Sequence, residues 1–337
     1  MSVPAIKMLQ QKTRQIPFRS VFVIIVALSV FAGLSPLYLS ACTTKDNLTQ
    51  TDENERVRII ATVFAPYDFS RQIAGPYADV RMLVPPGMEI HAWEPTPQDI
   101  VDIAGCDLFI YVGGESDSRI TALLESLDTS HMQILRLVDC VELLDEDNSV
   151  LVDFGLWDFG NSEPDEHVWT SVKNAKLISR EITERLKSID PANREFYDEA
   201  VRAYLAELDA LDATLCSVVG QARHTTLVFG DRFPFLYLAH DLGLTCYAAF
   251  PGCSTASEPS AQTVARLIDV VRAEQIQVIF FIELSDRRLA DAVARETGAQ
   301  VLPLNSCHNS SVWDFENGET YISLMRANAE NLKAALY

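Results

Sequence analysis

The sequence predicts an α/β protein of two lobes, each a mostly parallel sheet flanked by helices, with a long rigid helix linking the lobes. Strand-like and helical segments alternate over residues 57–137 and again over residues 225–304, and a helical stretch separates these two regions. Alternation of this kind is typical of a parallel sheet that helices cover on both faces. About 280 residues follow the amino-terminal segments, enough for two domains of roughly 100–150 residues each.

The first predicted lobe covers residues 57–170. Its expected elements are strands over residues 57–64, 80–84, 107–112 and 133–137, and helices near residues 68–73, 97–104 and 120–127. The segment Asp107–Val112 is an apolar run that ends in Gly113-Gly114, a pattern typical of a buried parallel strand.

Residues 171–223 are predicted to form the linking helices. Apolar side chains follow helical spacing in two runs, which Asp190-Pro191 separates. The second run has about 30 residues and spans on the order of 45 Å, enough to reach from one lobe into the next.

The second lobe is predicted over residues 224–337. Its expected elements are strands over residues 225–229, 245–250, 278–282 and 300–304, and helices after Pro259, near residues 286–297 and over about 320–336.

The amino terminus has the features of a secretory signal over residues 1–41. Four basic residues precede an apolar stretch from Val21 to Leu39, and no acidic residue occurs before Asp46. Cys42 follows Ser40-Ala41, an arrangement that resembles the lipobox of bacterial lipoproteins. We therefore expect Cys42 to be the lipidated first residue of a mature chain anchored to the extracytoplasmic side of the cell membrane, with residues 42–56 as a tether. A plain transmembrane anchor is the alternative.

The charge of the chain argues against nucleic acid as a partner. Removal of residues 1–41 takes away four of the 27 basic residues and none of the 47 acidic ones, so the formal charge changes from −20 to −24. Binding to nucleic acid phosphates needs basic clusters, which so acidic a chain is not expected to present.

Two histidines in turns are candidate metal ligands. His91 follows a segment rich in proline, glycine and glutamate (residues 85–90), and His167 follows an acidic segment that contains a proline (residues 163–166). Both precede a helical pattern, so each imidazole is expected on a loop at the rim of the scaffold, where ligands are usually held. A neutral imidazole is the commonest metal ligand in proteins. The alternative is that both are surface histidines that cap helices.

Several short motifs follow one another in order along residues 57–337. They are Ala61–Asp68, Ile73–Gly75, Leu83–Gly87, Glu94–Ile100, His167–Trp169, Glu258–Ser260 and Thr320–Met325. This ordered set resembles the cluster A-I solute-binding lipoproteins, the zinc and manganese receptors of ABC importers. The resemblance implies two lobes around a metal cleft, a rigid linking helix and transfer of the metal to a permease subunit. It also places His91 and His167 at the family's first and second ligand positions.

One family ligand has no counterpart in this chain. Members usually carry a third ligand, histidine or glutamate, at the end of the first strand of the second lobe, where this chain has Gly230. Asp231 is adjacent and could substitute, although Arg232 beside it could pair with that carboxylate instead. The fourth family position follows the last strand, where this chain has His308, and we expect His308 to supply the missing nitrogen. The alternative is that His308 is a loop histidine hydrogen-bonded to backbone.

The cysteines are compatible with export. Apart from Cys42 there are six, an even number that permits three disulfides in an oxidising compartment. The family resemblance favours a Cys253–Cys307 bridge, because some zinc receptors of the family join the equivalent two loops. The alternative is that Cys253 or Cys307 is a thiolate ligand, which the preference of soft metals permits. The pairing of the other cysteines is left open: Cys106, Cys140, Cys216 and Cys246.

These features predict a lipid-anchored, monomeric receptor that captures a divalent transition metal, zinc in the first place, and delivers it to the permease of an ABC importer. His91 and His167 are expected on one side of the cleft and His308 on the other. Nitrogen-rich sites suit zinc and carboxylate-rich sites suit manganese, so Mn²⁺ or Fe²⁺ is the alternative cargo if Asp231 and Glu283 are ligands.

Two other classes of function are alternatives to this receptor. A metal-dependent hydrolase needs only histidine and carboxylate side chains, but the sequence contains no Gly-x-Ser-x-Gly, His-Glu-x-x-His or P-loop motif, and we expect no enzyme. An adhesin would need exposed apolar patches, which the sequence does not show. The remaining histidines have no motif context and are expected to be structural or on the surface: His131, His224 and His240.

Overall fold

The computed structural model describes residues 56–89, 93–114, 117–145, 152–153, 164–252 and 259–337. The predicted signal peptide, Cys42 and all but the last residue of the predicted tether lie outside these ranges, as do His91 and Cys253. Within the described ranges, no helix is long and apolar enough to cross a bilayer.

Four parallel strands form the sheet of the first lobe, in the order β2-β1-β3-β4. The elements are β1 (Val57–Ala61), α1 (Phe64–Ala74), β2 (Ala78–Met82), α2 (Pro97–Ala104), β3 (Leu108–Tyr111), α3 (Ser118–Ser126) and β4 (Gln133–Arg136). All four residues of β3 are buried. Leu108 and Ile110 face one hydrophobic cluster, whereas Phe109 and Tyr111 face another. Both faces of β3 are therefore covered, which explains its continuous apolar sequence.

Two helices follow the first lobe, α4 (Val172–Ile189) and α5 (Arg194–Gly220). They are separated at the predicted break, where a 3-10 turn covers Pro191–Asn193. Asp190 fixes this turn, because its Oδ2 accepts hydrogen bonds from the side chains of Asn193 (2.6 Å) and Tyr197 (2.7 Å). Helix α5 has 27 residues and is roughly 40 Å long.

Five parallel strands form the sheet of the second lobe, in the order β5-β7-β6-β8-β9. The strands are β5 (Val152–Asp153), β6 (Thr226–Phe233), β7 (Thr245–Pro251), β8 (Val278–Phe281) and β9 (Gln300–Pro303). The helices are α6 (Leu236–Leu242), α7 (Ala261–Ala273), α8 (Arg288–Thr297), α9 (Val312–Glu316) and α10 (Tyr321–Leu336). Strand β5 precedes the linking helices in the sequence, yet it pairs with β7 of the second sheet.

The two lobes share one hydrophobic core. Buried residues of β1 and β3, of β6 and β8, and of α1, α4, α5 and α10 belong to a single contiguous cluster. The predicted fold class is confirmed: two parallel-sheet α/β lobes with a long helix between them. The loops at the carboxyl ends of both sheets meet, and this is the usual position of ligand sites in parallel α/β sheets.

Candidate metal centre

A small cavity lies between the loops at the carboxyl ends of the two sheets. Its volume is about 40 Å³, and its lining includes Met88, Glu89, His167, Arg232, Glu283 and His308. A pocket for a small organic molecule usually has a volume of about 300–1,000 Å³. The cavity therefore suits an ion or one or two water molecules.

His167 lies on the wall of this cavity, directly before the 3-10 turn Val168–Thr170. The residue is 1 % exposed. Its backbone N–H donates to Asp165 Oδ1 (2.8 Å), and its ring Nδ1 lies 3.4 Å from Asp165 Oδ2. A carboxylate beside one ring nitrogen is the usual second contact of a metal-ligating histidine, because it orients the ring and leaves the other nitrogen for the metal. Gly252 allows this position, since a Cβ there would lie 2.8 Å from His167 Cε1.

His308 approaches His167 from the turn after β9. The two imidazole centroids are 5.3 Å apart and the rings are nearly perpendicular, at 87°. The Trp169 indole packs against both rings, with centroid distances of 5.6 Å to His167 and 5.0 Å to His308. Its Nε1 donates to Ser306 O (2.8 Å), which ties the two histidine-bearing turns together. The structure thus brings two of the three predicted ligands into one cavity.

Glu283 supports the turn that carries His308. One carboxylate oxygen accepts hydrogen bonds from the Ser306 hydroxyl and from the His308 N–H (3.2 Å), and the other accepts from the Ser306 N–H (2.7 Å). Burial raises the pKa of Glu283, and the hydrogen bonds from Ser306 and His308 oppose that rise. The carboxylate therefore lines the cavity while three donors of the histidine turn engage it.

Asn309 joins the same turn to the first lobe. Its side-chain amide donates to Pro85 O (2.9 Å) and to Met88 O (2.8 Å). Backbone hydrogen bonds add to this contact, because Gly87 N donates to Ser310 O (2.8 Å) and Phe64 N donates to His308 O (2.9 Å). Asn309 thus fixes the loop that leads towards His91 relative to the loop that carries His308.

His91, the third predicted ligand, lies outside the described residues. Glu89, two residues earlier in the sequence, is the last described residue before it and lines the cavity. Among the described residues, no group of three histidine, cysteine, aspartate or glutamate side chains is arranged to hold a metal ion. The ligand role of His91 consequently stays a prediction.

The position of the missing family ligand is filled by helix α8. A Cβ on Gly230 would lie 2.5 Å from Ala290 Cα and 2.7 Å from Ala290 N, distances that no side chain tolerates without movement of that backbone. Asp231, the possible substitute for that ligand, is not among the residues that line the cavity. Its carboxylate accepts from the backbone N–H groups of Arg232 (2.8 Å) and Ile282 (3.2 Å). Burial raises the pKa of Asp231, and the hydrogen bonds from Ser285, Arg232 and Ile282 oppose that rise.

Arg232 makes an ion pair across the cleft. Its Nη1 lies 3.3 Å from Oε1 of Glu89, which belongs to the first lobe. The sequence suggested Asp231 as the partner of this guanidinium. The Asp231 carboxylate accepts hydrogen bonds from backbone donors at the ends of β6 and β8 and from the Ser285 side chain, and the charge of Arg232 also acts on it.

A buried carboxylate pair lies beside the His167 turn. Asp117 and Glu166 are each 2 % exposed. Gly114 makes room for this pair, because a Cβ there would overlap the Glu166 carboxylate. Burial raises the pKa of Asp117 to about 6; the Gly113 and Val112 N–H groups oppose this rise, and the charge of Glu166 adds to it.

Cys307 is the described cysteine nearest the predicted ligands, next to His308 in the sequence. Cys307 carries a free thiol. Cys253 lies outside the described residues, so the Cys253–Cys307 bridge stays a prediction. The Cys307 side chain is fully buried in the shared hydrophobic core. Burial raises the pKa of Cys307 well above its ordinary value, which opposes a thiolate role. The other described cysteines also carry free thiols: Cys106, Cys140, Cys216 and Cys246.

The three histidines without motif context make local contacts away from the cavity. His131 Nε2 lies 2.9 Å from Ala104 O, and His224 Nδ1 accepts from Thr226 N (3.3 Å). His240 is exposed and its Nδ1 lies 3.9 Å from Asp241. These contacts agree with the structural or surface roles expected from the sequence.

Trp169, Asn309 and Glu89 belong to the site, although no sequence pattern assigns them a role there. Each lies within two residues of a predicted ligand, and Trp169 also belongs to the motif His167–Trp169. Their contacts join residues far apart in the chain, such as Trp169 with Ser306, and no local pattern predicts such a pairing.

Comparison with known proteins identifies relatives along nearly the whole described part of the chain. A family model for the periplasmic component A of the zinc-uptake complex, ZnuA, matches residues 59–335. The chain is 29 % identical over 304 residues to the high-affinity zinc uptake system protein ZnuA of Bacillus subtilis (strain 168), covering 89 % of this chain and 94 % of that protein.

Two further similarities concern a streptococcal protein. The chain is 30 % identical over 305 residues to the zinc-binding lipoprotein AdcA of Streptococcus pneumoniae, covering 90 % of this chain but only 60 % of that longer protein. The crystal structure of the Zn(II)-bound ZnuA-like domain of S. pneumoniae AdcA superposes with a TM-score of 0.70 at 29 % identity, covering 83 % of this chain and 99 % of that domain.

Proposed function

We propose, from the premise that the chain belongs to the family of periplasmic zinc-uptake components, that it captures zinc between its lobes and delivers it to an ABC importer. The observation that carries the proposal is the perpendicular approach of the His167 and His308 rings in a cavity of ionic size. The small volume also supports a receptor rather than a hydrolase, since it leaves little room for an organic substrate beside a metal.

In the proposed mechanism, neutral imidazoles of His91, His167 and His308 displace water from the ion. Three protein ligands and one further position satisfy the tetrahedral preference of zinc. Asp165 orients the His167 ring through Nδ1, and Glu283 holds the backbone of the His308 turn. Protons compete for the same nitrogens, so we expect zinc affinity to fall as the pH drops through the range in which histidine titrates.

Zinc is favoured over manganese because nitrogen donors dominate the proposed site. Manganese prefers carboxylate and carbonyl oxygens. Asp231 follows Gly230, the position without the family's third ligand. Its carboxylate accepts hydrogen bonds from the N–H groups of Arg232 and Ile282. Glu283 does line the cavity, but its oxygens accept hydrogen bonds from the His308 turn.

The proposal includes the place of the protein in the cell. Cys42 would carry the lipid that anchors a monomeric, non-enzymatic receptor to the extracytoplasmic side of the membrane, within reach of a permease. This part rests on the lipobox-like sequence and on the similarity to a protein named a lipoprotein. Detergent partitioning of the parent and a Cys42→Ser variant tests it, because only the parent should enter the detergent phase.

Elemental analysis after exposure to mixed metals tests the proposed cargo. Apo-protein is refolded, incubated with equimolar Zn²⁺, Mn²⁺ and Fe²⁺ without oxygen, and separated from free ions. We expect about one zinc per chain and little manganese or iron, because imidazole ligands follow the order of transition-metal affinities. The double variant His167→Ala/His308→Ala should lose the bound zinc, whereas His240→Ala should retain it. Manganese in the parent, or no metal at all, contradicts the proposal.

A further inference from the structure

We propose that Arg232 is a specificity-determining residue, because it holds Glu89 in an ion pair across the cleft and so keeps this carboxylate out of the metal's coordination sphere. The inference rests on the proposed function and deepens it by assigning metal preference to a pair outside the predicted ligand set. Carboxylate oxygen is the donor that manganese prefers, so the availability of Glu89 would affect manganese more than zinc.

The geometry of the pair supports this role. Arg232 Nη1 lies 3.3 Å from Glu89 Oε1, and both side chains line the cavity that holds His167 and His308. The side chains are only 24 % and 38 % exposed, so solvent screens the pair less than a surface ion pair. Glu89 is also two residues from His91 in the sequence.

The conformation of β6 explains why Arg232 faces the cavity. Phe229 pairs with Ala248 and Arg232 pairs with Phe250, so three steps along β6 correspond to two along β7. Such a bulge inserts one residue and changes the direction of the side chains after it. Gly230 packs directly on Ala290 within this bulge. The next residue, Asp231, accepts a hydrogen bond from the N–H of Ile282, which directly follows β8.

The guanidinium acts on a bound cation in two ways. Its positive charge repels every divalent ion by the same Coulomb law, so this effect lowers all affinities without changing their ratio. The ion pair with Glu89 is the second effect. A guanidinium is always charged and forms strong hydrogen bonds to a carboxylate, so it can hold the Glu89 oxygens away from the ion. Zinc is bound by imidazoles, so its affinity falls little when this oxygen is held away. Manganese affinity falls more, because a carboxylate oxygen is a ligand that manganese prefers.

Competitive titrations with a chelator, carried out separately with Zn²⁺ and Mn²⁺, test the inference. We expect Arg232→Gln to raise manganese affinity at least about tenfold more than zinc affinity. The double variant Arg232→Gln/Glu89→Gln should return the ratio of the two affinities to the parent's value, because the freed carboxylate is gone. Glu89→Gln alone should leave the ratio unchanged.

Two further variants control the experiment. Arg232→Lys retains a cation beside Glu89 and should keep a ratio closer to the parent's than Arg232→Gln does. Arg119→Gln breaks an exposed ion pair with Glu94 (3.1 Å) that does not line the cavity, and it should change neither affinity. Thermal unfolding of each variant verifies that it is folded.

The results separate this inference from the proposed function. A parent that binds no zinc overturns both. A parent that binds zinc, with an Arg232→Gln variant whose affinities for the two metals rise by the same factor or not at all, overturns the inference alone. A large selective loss of zinc affinity in Glu89→Gln would also overturn it, since Glu89 would then be a ligand in the parent.

Discussion

At the scale of single residues, Gly230 leaves no side chain at the position where the family resemblance expects the third ligand. The sequence shows only that a side chain is absent at the family's third ligand position. The structure adds that the backbone of Ala290 in α8 occupies the space where a Cβ would be. The absence of a side chain at this position and the packing of α8 on β6 are therefore one structural feature, and His308 is the nitrogen donor that we propose for the second lobe.

Replacement of Gly230 by alanine should destabilise the protein. The added Cβ would lie 2.5 Å from Ala290 Cα, and overpacking of this kind typically costs about 1–3 kcal/mol. Urea unfolding of the parent and the variant measures the loss. Gly220→Ala is the matched control, because nothing lies within 4 Å of a Cβ there and the substitution favours the end of α5. Equal stability of Gly230→Ala and the parent would show that α8 yields easily and that a family-type ligand could be accommodated.

The sequence could not predict which residues hold the histidine-bearing turns in place. The sequence pointed to His167 and His308 as candidates because histidines in turns are few and the family resemblance covers their positions, and the structure places both on one cavity. Glu283 was considered only as a possible ligand, but it accepts hydrogen bonds from Ser306 and His308, twenty-three and twenty-five residues away. Its role depends on how the ends of β8 and β9 lie next to each other, which follows from the packed sheet.

At the scale of elements, most strands and helices were predictable because their apolar residues recur at the spacing of a buried strand or of one helix face. Helix α2 begins at the predicted residue, since Thr96 and Asp99 form a capping box around Pro97, and it also ends at the predicted Ala104. Strand β5 was missed, because two residues carry no periodic signal. Strand β6 extends to Phe233, four residues beyond the prediction, because the bulge at Gly230 interrupts the alternation without ending the pairing with β7.

The turn between β3 and α3 should make stability depend on pH. Burial raises the pKa of Asp117 to about 6 from an ordinary value of 3.8, so the folded state binds this proton more tightly than the unfolded state. The contribution of Asp117 to the free energy of unfolding is therefore lowest above about pH 6 and rises as the pH falls towards 3.8.

Asp117→Asn tests this dependence. The amide oxygen can still accept from the Val112 and Gly113 N–H groups, but the buried charge is removed. We expect the variant to be more stable than the parent at pH 7.5, by on the order of 1–3 kcal/mol, with a smaller difference at pH 4.5. Urea unfolding at both pH values measures it. A difference that does not change with pH would show that Asp117 keeps its ordinary pKa.

At the scale of the whole molecule, the shared core limits how far the lobes can move. The cluster that includes Ile59 of the first sheet and Phe280 of the second continues through the linking helices. Hydrogen bonds from Asn309 to Pro85 and Met88 also join the lobes directly beside the cavity. The predicted lobes are therefore recognisable as sheets, but the structure packs them as one body, and local loop movement is the expected route for metal entry.

Zinc titration against a competing chelator tests the central claim most directly. The claim is that His91, His167 and His308 bind the ion together, with nitrogen from both lobes. Alanine at any of these positions should weaken zinc binding by more than the roughly 10–100-fold that changes around metal ligands usually cost. His240→Ala should bind zinc as the parent does, because that ring is exposed and does not line the cavity. If His308→Ala binds zinc like the parent while Asp231→Ala does not, the second lobe supplies a carboxylate instead, and the account of the site is contradicted.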